Sequence, residues 1–306
     1  MLTIFSCPKP FRGHIKIIQR NAIKSWALLE PKVEIILLGN EEGTAEVCEE
    51  FGLYHMPMIE RNEFGTPLVN SLFNIAQTSA SNPFMCYVNA DIILISDFME
   101  AIRAVEALNQ RFLMIGCRWD IDLKQAWDFE RSGWEEALEA HVRQHGKLHN
   151  WMGIDYFVFP RGLFPNIPPF AIGRPVWDNW LIFHARLLRI PVIDATRAVA
   201  AIHQNHDYSH HSGGKEGLWK GVEREHNLEL AGGEQHVFCL ADATHILAKN
   251  DLRSAFSFAY IWRRFYTLPV FYPFLTPLRW LLNILLKVSR PIRMKIGLTL
   301  GKPHSL

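Results

Sequence analysis

Several patterns that mark common classes of protein are missing from this chain of 306 residues. Its five cysteines are scattered and form no CxxC pair, which argues against a disulfide framework and indicates the reduced, buried thiols of an intracellular protein. No GxGxxG follows the first predicted strand and no Gly-rich loop ends in Lys, so dinucleotide and NTPase sites are poorly supported. No basic segment followed by an apolar run begins the chain, so no secretory signal is expected.

Acidic residues are absent from the last part of the chain. Residues 252–306 contain nine Lys or Arg and no Asp or Glu, whereas the whole chain has a formal net charge of +1. The remaining residues are therefore net acidic, which argues against a nucleic-acid partner. Apolar residues are plentiful, at 49% of the sequence, which is enough for a sizeable buried core.

Alternating strand and helix patterns occupy the first 118 residues. Apolar runs predict strands, and apolar residues at helical spacing predict the helices between them. This βαβα order is typical of an α/β fold with a mostly parallel sheet flanked by helices. The predicted strands are 2–6, 33–38, 54–59, 84–94 and 112–117, and the predicted helices are 14–29, 44–51, one whose first turn contains Pro67, and 97–109.

Beyond residue 120 this alternation is interrupted by a polar, Trp-bearing stretch, Trp119–Trp151, with a helix predicted at 134–144. Such an insertion usually binds a second substrate. A strand at 156–160, a helix at 180–188 and a strand at 192–202 follow. The residues predicted to contact the second substrate are Trp119, Asp120, Trp151, Asp155 and Trp177.

One polar pair interrupts the apolar segment 84–94. Asn89 and Asp91 flank Ala90, so in a strand their side chains would leave the same face of the sheet. That arrangement suits a cation or a metal-bound phosphate at the strand end. The alternative is that both residues end the strand as turn formers.

Further polar side chains follow the other predicted strands. In an open α/β sheet, ligands bind beyond the carboxyl ends of the strands. There Arg12 could pair with a phosphate, and Asn40 or Glu41 could accept hydrogen bonds from a ribose or base. Each could also be an ordinary loop residue. We predict a ligand site formed by Arg12, Asn40, Glu41, Arg61, Asn89, Ala90 and Asp91.

Asp178 is predicted at the start of a helix, between Trp177 and Trp180. A carboxylate there can act as the helix N-cap, which is the simpler interpretation. The alternative is a general base beside indole rings, the flat apolar surfaces on which sugar rings stack.

Four histidines lie within nine residues after the last predicted strand, at 203, 206, 210 and 211. Such a cluster can be a solvated loop. Imidazole is also a common metal ligand, and together with Asp91 and phosphate oxygens it would suit Mn²⁺ or Mg²⁺. We predict Asp91 and His206 as metal ligands, with His203 as the competing imidazole.

These motifs, in this order, resemble the GT-A superfamily of nucleotide-sugar glycosyltransferases over roughly residues 1–212. Val88-Asn89-Ala90-Asp91 is similar to the DxD segment of that superfamily, Val176-Trp177-Asp178 to its xED segment, and the late histidine to its metal-binding histidine. The resemblance implies a nucleotide-diphosphate sugar donor, a divalent metal and transfer to an acceptor hydroxyl, with Asp178 as the base of an inverting enzyme. Asn89 departs from the pattern, since an amide replaces the first carboxylate.

The resemblance leads to a prediction of domains: a catalytic domain over 1–250, with a nucleotide-binding half at 1–118 and an acceptor half at 119–250, and an amphipathic helical tail at 251–306. Prolines are expected to break the first half of the tail, and its longest later apolar run is far shorter than the ~20 residues that span a bilayer. The tail either lies on an anionic membrane surface or packs on the body.

Other functions stay open at this point. A nucleotidyltransferase that makes an activated sugar would share the sheet but should have a Gly-rich loop with Arg and Lys near the first strand, where only Arg12 is found. A noncatalytic binding protein could keep the same fold. We expect a cytoplasmic protein, with the inner face of a membrane as the surface for the tail, and a saccharide or lipid-linked acceptor.

Overall fold

The computed structural model describes residues 1–107, 111–206, 220–249 and 251–277. In chain order the strands are β1 (Leu2–Ser6), β2 (Glu34–Leu38), β3 (Tyr54–Met56), β4 (Phe84–Val88), β5 (Ile92–Ile93), β6 (Leu113–Ile115), β7 (Arg118–Ile121), β8 (Lys147–Leu148), β9 (Tyr156–Pro160), β10 (Val192–Asp194), β11 (Ala201–Gln204), β12 (His245–Ala248) and β13 (Asp251–Ser254). The described helices are α1 (Gly13–Ala27), α2 (Thr44–Phe51), α3 (Val69–Ser79), α4 (Ser96–Glu106), α5 (Trp134–His145), α6 (Trp177–Leu187), α7 (Val222–Leu230) and α8 (Phe258–Phe271).

Nine strands form the main sheet, in the order β13-β12-β10-β6-β9-β4-β1-β2-β3. Strand β1 pairs in parallel with β2 and β4, and β10 pairs in parallel with β6 and β12. Antiparallel pairing is confined to β9, in the middle, and β13, at one edge. The predicted α/β fold with a mostly parallel sheet flanked by helices is confirmed.

Both faces of the main sheet are covered by apolar side chains. Neighbouring residues of β1 point to opposite faces, so Phe5 packs with Phe73 in one cluster and Ile4 packs with Trp26 in the other. The strands therefore need apolar residues on both sides, which explains the unbroken apolar runs in the sequence. All five cysteines are free thiols, as predicted.

A smaller sheet of four strands, in the order β5-β11-β7-β8, stands beside the main one. Two strands predicted from the sequence are wrong, because each divides between this sheet and the main one. The segment 84–94 is not one strand, because β4 ends at Val88 and a turn leads into β5. The segment 192–202 is also two strands, because a turn after Asp194 moves the chain from the main sheet to the smaller one.

Two proline positions also differ from expectation. The strand predicted at 54–59 stops at Met56, because Pro57 has no N–H for the sheet. Pro67 does not begin a helix; it bridges to Arg61, and α3 starts at Val69.

The first part of the tail packs on the body of the protein. Helix α8 continues through Pro269 but ends two residues later, at Phe271, as expected where proline cannot donate to the preceding turn. The Tyr260 hydroxyl donates to buried Asp194 at 2.5 Å, and Arg263 pairs with Asp242 at 2.8 Å. Within the described residues no helix is long and apolar enough to cross a bilayer.

The predicted domain boundaries stay predictions. Strands from 1–118, 119–250 and the start of the predicted tail all belong to the same main sheet. The later apolar run of the tail, 280–286, lies outside the described residues, as do His210 and His211.

Candidate active site

A cleft of about 1180 Å³ opens beyond the carboxyl ends of β1, β2 and β4. It is the place where ligands bind in open α/β sheets. Ten of the predicted site residues line it: Glu41, Arg61, Asn89, Ala90, Asp91, Asp155, Trp177, Asp178, His203 and His206. The two carboxylates on which the functional prediction depends, Asp91 and Asp178, therefore share one cleft.

Asp91 forms a cluster with two histidines. Asp91 Oδ2 lies 3.2 Å from His206 Nε2 and 3.8 Å from His203 Nε2. One potential ligand atom from each residue lies within 4.8 Å of the others. The cluster forms because β5 pairs antiparallel with β11, which sets His203 opposite Ile92, the residue after Asp91.

The chemistry of this cluster fits a divalent cation. Asp91 Oδ1 is buried and has no hydrogen-bond partner among the described residues, so one carboxylate oxygen is available. Burial raises the pKa of Asp91, but His203, His206 and nearby Lys9 together hold it well below its ordinary value. The carboxylate is therefore ionised at neutral pH, and one carboxylate with two imidazoles suits Mn²⁺ or a related ion.

Asn89 and Asp91, in the turn after β4, contact different partners. The Asn89 amide accepts from the Tyr87 hydroxyl at 2.8 Å and donates to Asp155 Oδ1 at 2.5 Å. Its backbone N–H also donates to the Asp155 carbonyl at 3.0 Å. The alternative interpretation of the pair as turn formers is thus right about local structure, yet both side chains line the cleft.

Asp178 is the second residue of α6. The N-cap position belongs to Val176, and no side chain caps this helix. Val176 has φ = 99°, a strained value for a β-branched residue, and such strain is found at functional sites. The simpler interpretation of Asp178 as an N-cap is therefore wrong.

The environment of Asp178 suits a base that works near neutral pH. Burial, with a smaller contribution from the charge of Asp155, raises the pKa of Asp178 from 3.8 to about 6. Its Oδ1 atom is buried and has no hydrogen-bond partner in the described part of the chain. Of the two neighbouring tryptophans only Trp177 lines the cleft; Trp180 stacks on His184 instead.

Glu41 and Arg61 form the side of the cleft that follows β2. Arg61 Nη2 donates to Glu41 Oε1 at 2.7 Å and to Asn40 Oδ1 at 3.1 Å. Glu41 Oε2 is buried with no partner among the residues that the structure describes. Gly39 has φ = 99°, which favours glycine, and a Cβ there would lie 2.5 Å from this oxygen and displace the carboxylate.

Several predicted residues lie outside the cleft lining. Arg12 is exposed at the surface and pairs with Glu42, so it does not face the site. Trp119 packs in the small apolar cluster of the second sheet, and Trp151 stacks on Tyr260. The remaining two are Asn40 and Asp120, which contact lining residues from behind.

Four cations of the cleft were missed by the sequence prediction, which identified only Arg61 among the lysines and arginines of the lining. Lys9 takes the place expected for Arg12, since its Nζ lies 3.4 Å from His206 Nε2. Burial lowers the pKa of Lys9, whereas Asp91 and Asp155 act in the opposite direction. Lys9 follows β1, so the strand-end rule could have identified it. Arg118 also lines the cleft and directly follows the predicted strand 112–117, so the same rule could have identified it, whereas Arg174 and Arg224 follow no strand.

No family model and no curated protein matches the chain. Several solved structures, however, are similar to it. S. aureus TarS 1–349 in complex with UDP-GlcNAc has 14% identity and a TM-score of 0.44, over 67% of this chain and 59% of that one. Glucosyl-3-phosphoglycerate synthase from Mycobacterium tuberculosis, with Mn²⁺, UDP and glucosyl-3-phosphoglycerate, has 13% identity and a TM-score of 0.43, over 76% and 80%.

A third similar structure is the mannosyltransferase PcManGT from Pyrobaculum calidifontis in complex with GDP-Man and Mn²⁺, with 13% identity and a TM-score of 0.39, over 66% of this chain and 56% of that one. The chain spans less than two thirds of the TarS and PcManGT chains. These proteins are of the class that the sequence motifs resemble. At such low identity and TM-score, however, function has to be argued from the geometry of the site.

Proposed function

We propose that the protein is a metal-dependent glycosyltransferase, which moves a sugar from a nucleotide-diphosphate donor to an acceptor hydroxyl with inversion. One observation supports this most strongly. A single cleft contains an ionised carboxylate with two imidazoles, and also a second carboxylate, Asp178, whose pKa is raised to about 6. Paired carboxylates with different pKa values are typical of sites where one binds charge and the other moves a proton.

On the donor side, Asp91, His206 and His203 would hold Mn²⁺ or Mg²⁺. Such an ion, when bound, supplies positive charge to the departing diphosphate. Lys9 lies beside this cluster and adds a cation of the chain itself. Glu41 Oε2 is free to accept a hydrogen bond from the nucleoside, with Arg61 holding the other carboxylate oxygen.

On the acceptor side, Asp178 takes the proton of the acceptor hydroxyl. The hydroxyl oxygen then forms a bond to the anomeric carbon, while the bond from that carbon to the diphosphate oxygen breaks. The nucleoside diphosphate leaves with the bonding electrons, and attack from the opposite face inverts the configuration. A positioned base of this kind contributes about 10²- to 10⁴-fold in rate.

To test the proposal, the protein is incubated with Mn²⁺ and a panel of UDP-, GDP- and dTDP-sugars, and slow hydrolysis of each donor is measured. We expect the full chain to release nucleoside diphosphate from at least one donor, and EDTA to stop the release. Asp178→Asn should bind that donor as the parent does but fail to transfer the sugar. A protein that binds donors without consuming any is a binding protein, and one that releases pyrophosphate from a nucleotide and a sugar phosphate is a nucleotidyltransferase; either result contradicts the proposal.

We further propose that the tail holds the protein on an anionic membrane surface. One side of α8 packs on the body, while large aromatic side chains near both ends and on its outer side are exposed: Phe256, Phe258, Phe265 and Phe274. The stretch 252–306 is basic and has no acidic residue. Exposed aromatics with surrounding Lys and Arg are typical of segments that lie in the headgroup region.

Sedimentation with vesicles tests this second proposal. The full chain should bind phosphatidylglycerol vesicles more tightly than phosphatidylcholine vesicles. Phe258→Ser with Phe265→Ser should weaken binding by about tenfold or more, because each phenylalanine contributes about 1.5–3 kcal/mol when buried. Tyr54→Ser is the matched control, since Tyr54 is exposed on β3, at the opposite edge of the main sheet. Equal sedimentation of the double variant and the parent would remove the membrane role.

A further inference from the structure

One guanidinium in the wall of the cleft lies between two carboxylates. Arg118 Nη1 donates to Asp155 Oδ2 at 2.8 Å, and Arg118 Nε donates to Asp120 Oδ1 at 2.9 Å. The Arg118 side chain is only 17% exposed and that of Asp155 8%, so water competes little for these bonds. The backbone of Arg118 is fixed as well, because its N–H donates to Gly153 and its carbonyl accepts from His149.

Each of the two carboxylates extends to a residue of the proposed site. Asp155 Oδ1 accepts from the Asn89 amide at 2.5 Å. Asp120 Oδ1 lies 3.2 Å from His203 Nδ1, close enough for an ion pair but without the alignment of a hydrogen bond, while Nε2 of that ring lies 3.8 Å from Asp91 Oδ2. Arg118 therefore contacts both carboxylates. Asp155 holds the amide of Asn89 on the donor side, and Asp120 lies beside the imidazole of His203 on the metal side.

We propose that Arg118 is a positioning residue, which aligns Asn89 through Asp155 and His203 through Asp120. The inference rests on the proposed function for the roles of Asn89 and His203. Partners behind a metal ligand fix the tautomer and orientation of its imidazole, and their loss typically costs about 10- to 100-fold in metal affinity. Arg118 follows the predicted strand 112–117, but no motif in the sequence links it to Asp155, which is 37 residues away.

The electrostatics agree with a tightly held group. Burial lowers the pKa of Arg118, but Asp155 and Asp120 raise it further, so the guanidinium is always charged. Burial raises the pKa of Asp120, yet His149, His203 and Arg118 hold it well below its ordinary value. A lysine would keep the positive charge but could not present two N–H edges in fixed directions. Geometry, and not charge alone, is therefore the property to test.

The experiment uses the full chain without metal and then with Mn²⁺ alone. Ring ¹⁵N signals of His203 and the side-chain amide signals of Asn89 are recorded by NMR, and Mn²⁺ affinity is measured by calorimetry. Arg118→Gln should change both sets of signals and weaken Mn²⁺ binding about 10- to 100-fold. Asp120→Asn should change the His203 signals and the affinity, whereas Asp155→Asn should change mainly the Asn89 signals.

Arg263→Gln is the matched control. Arg263, on α8, is a partly buried arginine that pairs with buried Asp242, so its loss also leaves a buried carboxylate without its ion pair. It should lower stability as Arg118→Gln does, yet leave Mn²⁺ affinity and both signals unchanged. If Arg118→Gln does not fold, Arg118→Lys takes its place, and the same loss of Mn²⁺ affinity is expected in spite of the retained charge.

The proposal is overturned if the folded Arg118 variant binds Mn²⁺ within twofold of the parent, if either NMR signal stays unchanged, or if Arg263→Gln loses as much affinity. A parent protein that binds no Mn²⁺ would instead contradict the proposed metal site. In that case the His203 ring signals and the Asn89 amide signals of the metal-free protein still decide whether Arg118 positions these two residues.

Discussion

Replacing Asp178 by asparagine should stabilise the protein at neutral pH while it removes transfer activity. Burial raises the pKa of Asp178 from 3.8 to about 6, so keeping the carboxylate ionised in the folded state costs free energy. The difference between these two pKa values corresponds to about 3 kcal/mol at most. A residue that is retained at such a cost is expected to serve function, because activity and stability are often in conflict at active sites.

The sign of the pH dependence follows from proton binding. Between pH 3.8 and about 6 the folded state binds more protons at Asp178 than the unfolded state does, so the parent loses stability as the pH rises through this range. Asparagine does not titrate. The stability gained by Asp178→Asn should therefore be largest above pH 6 and shrink steadily below it.

Urea denaturation of both proteins at several values between pH 5 and pH 8 measures this difference. Activity gives an independent check, because the parent should transfer sugar about ten times faster at pH 7 than at pH 5, as the base becomes ionised. The reasoning is refuted if the difference in unfolding free energy is the same at every pH, or if Asp178→Asn keeps the activity of the parent.

Two further substitutions test the proposed metal ligand and a buried carboxylate of α4 that lies away from the cleft. Asp91→Ala should abolish measurable Mn²⁺ binding and weaken metal-dependent donor binding, since it removes the only carboxylate of the Asp91-His203-His206 cluster; unchanged calorimetric titrations would contradict this. Burial, with the charges of Glu139 and Glu135, raises the pKa of Asp97 to about 7. Asp97→Asn should therefore raise the melting temperature more at pH 8 than at pH 5, and the reverse order would show that the folded state does not disfavour the ionised carboxylate.

The local elements of the fold could be predicted from the sequence, because each depends on neighbouring residues. The apolar run Glu34–Leu38 and the apolar stripe of Gly13–Ala27 lie where their periodicity places them. Predictions were wrong where the chain turns between sheets, as after Val88 and after Asp194. Polar residues mark both turns, Asn89 with Asp91 in one and Asp194 with Arg197 in the other, but they give no sign that the strand that follows joins a different sheet.

In the site, too, local sequence patterns predicted some residues, while others depended on the tertiary structure. Strand-end positions identified Glu41, Asn89 and Asp91, since the carboxyl ends of parallel strands share one edge. The rule did not separate Lys9, which lies beside the histidines, from Arg12, which faces Glu42 at the surface. That choice depends on how the chain leaves β1, and the sequence pattern does not describe it.

The sequence by itself determined an alternating α/β order and the residue types available for chemistry, because these depend on neighbours a few positions apart. Only the tertiary structure decided which of them meet. The pairing of β5 with β11 brings Asp91 to His203 across more than a hundred residues, and Arg118 of β7 reaches Asp155, which directly precedes β9. Burial then sets the pKa of Asp178, since the loss of water around a carboxylate depends on every element packed against it.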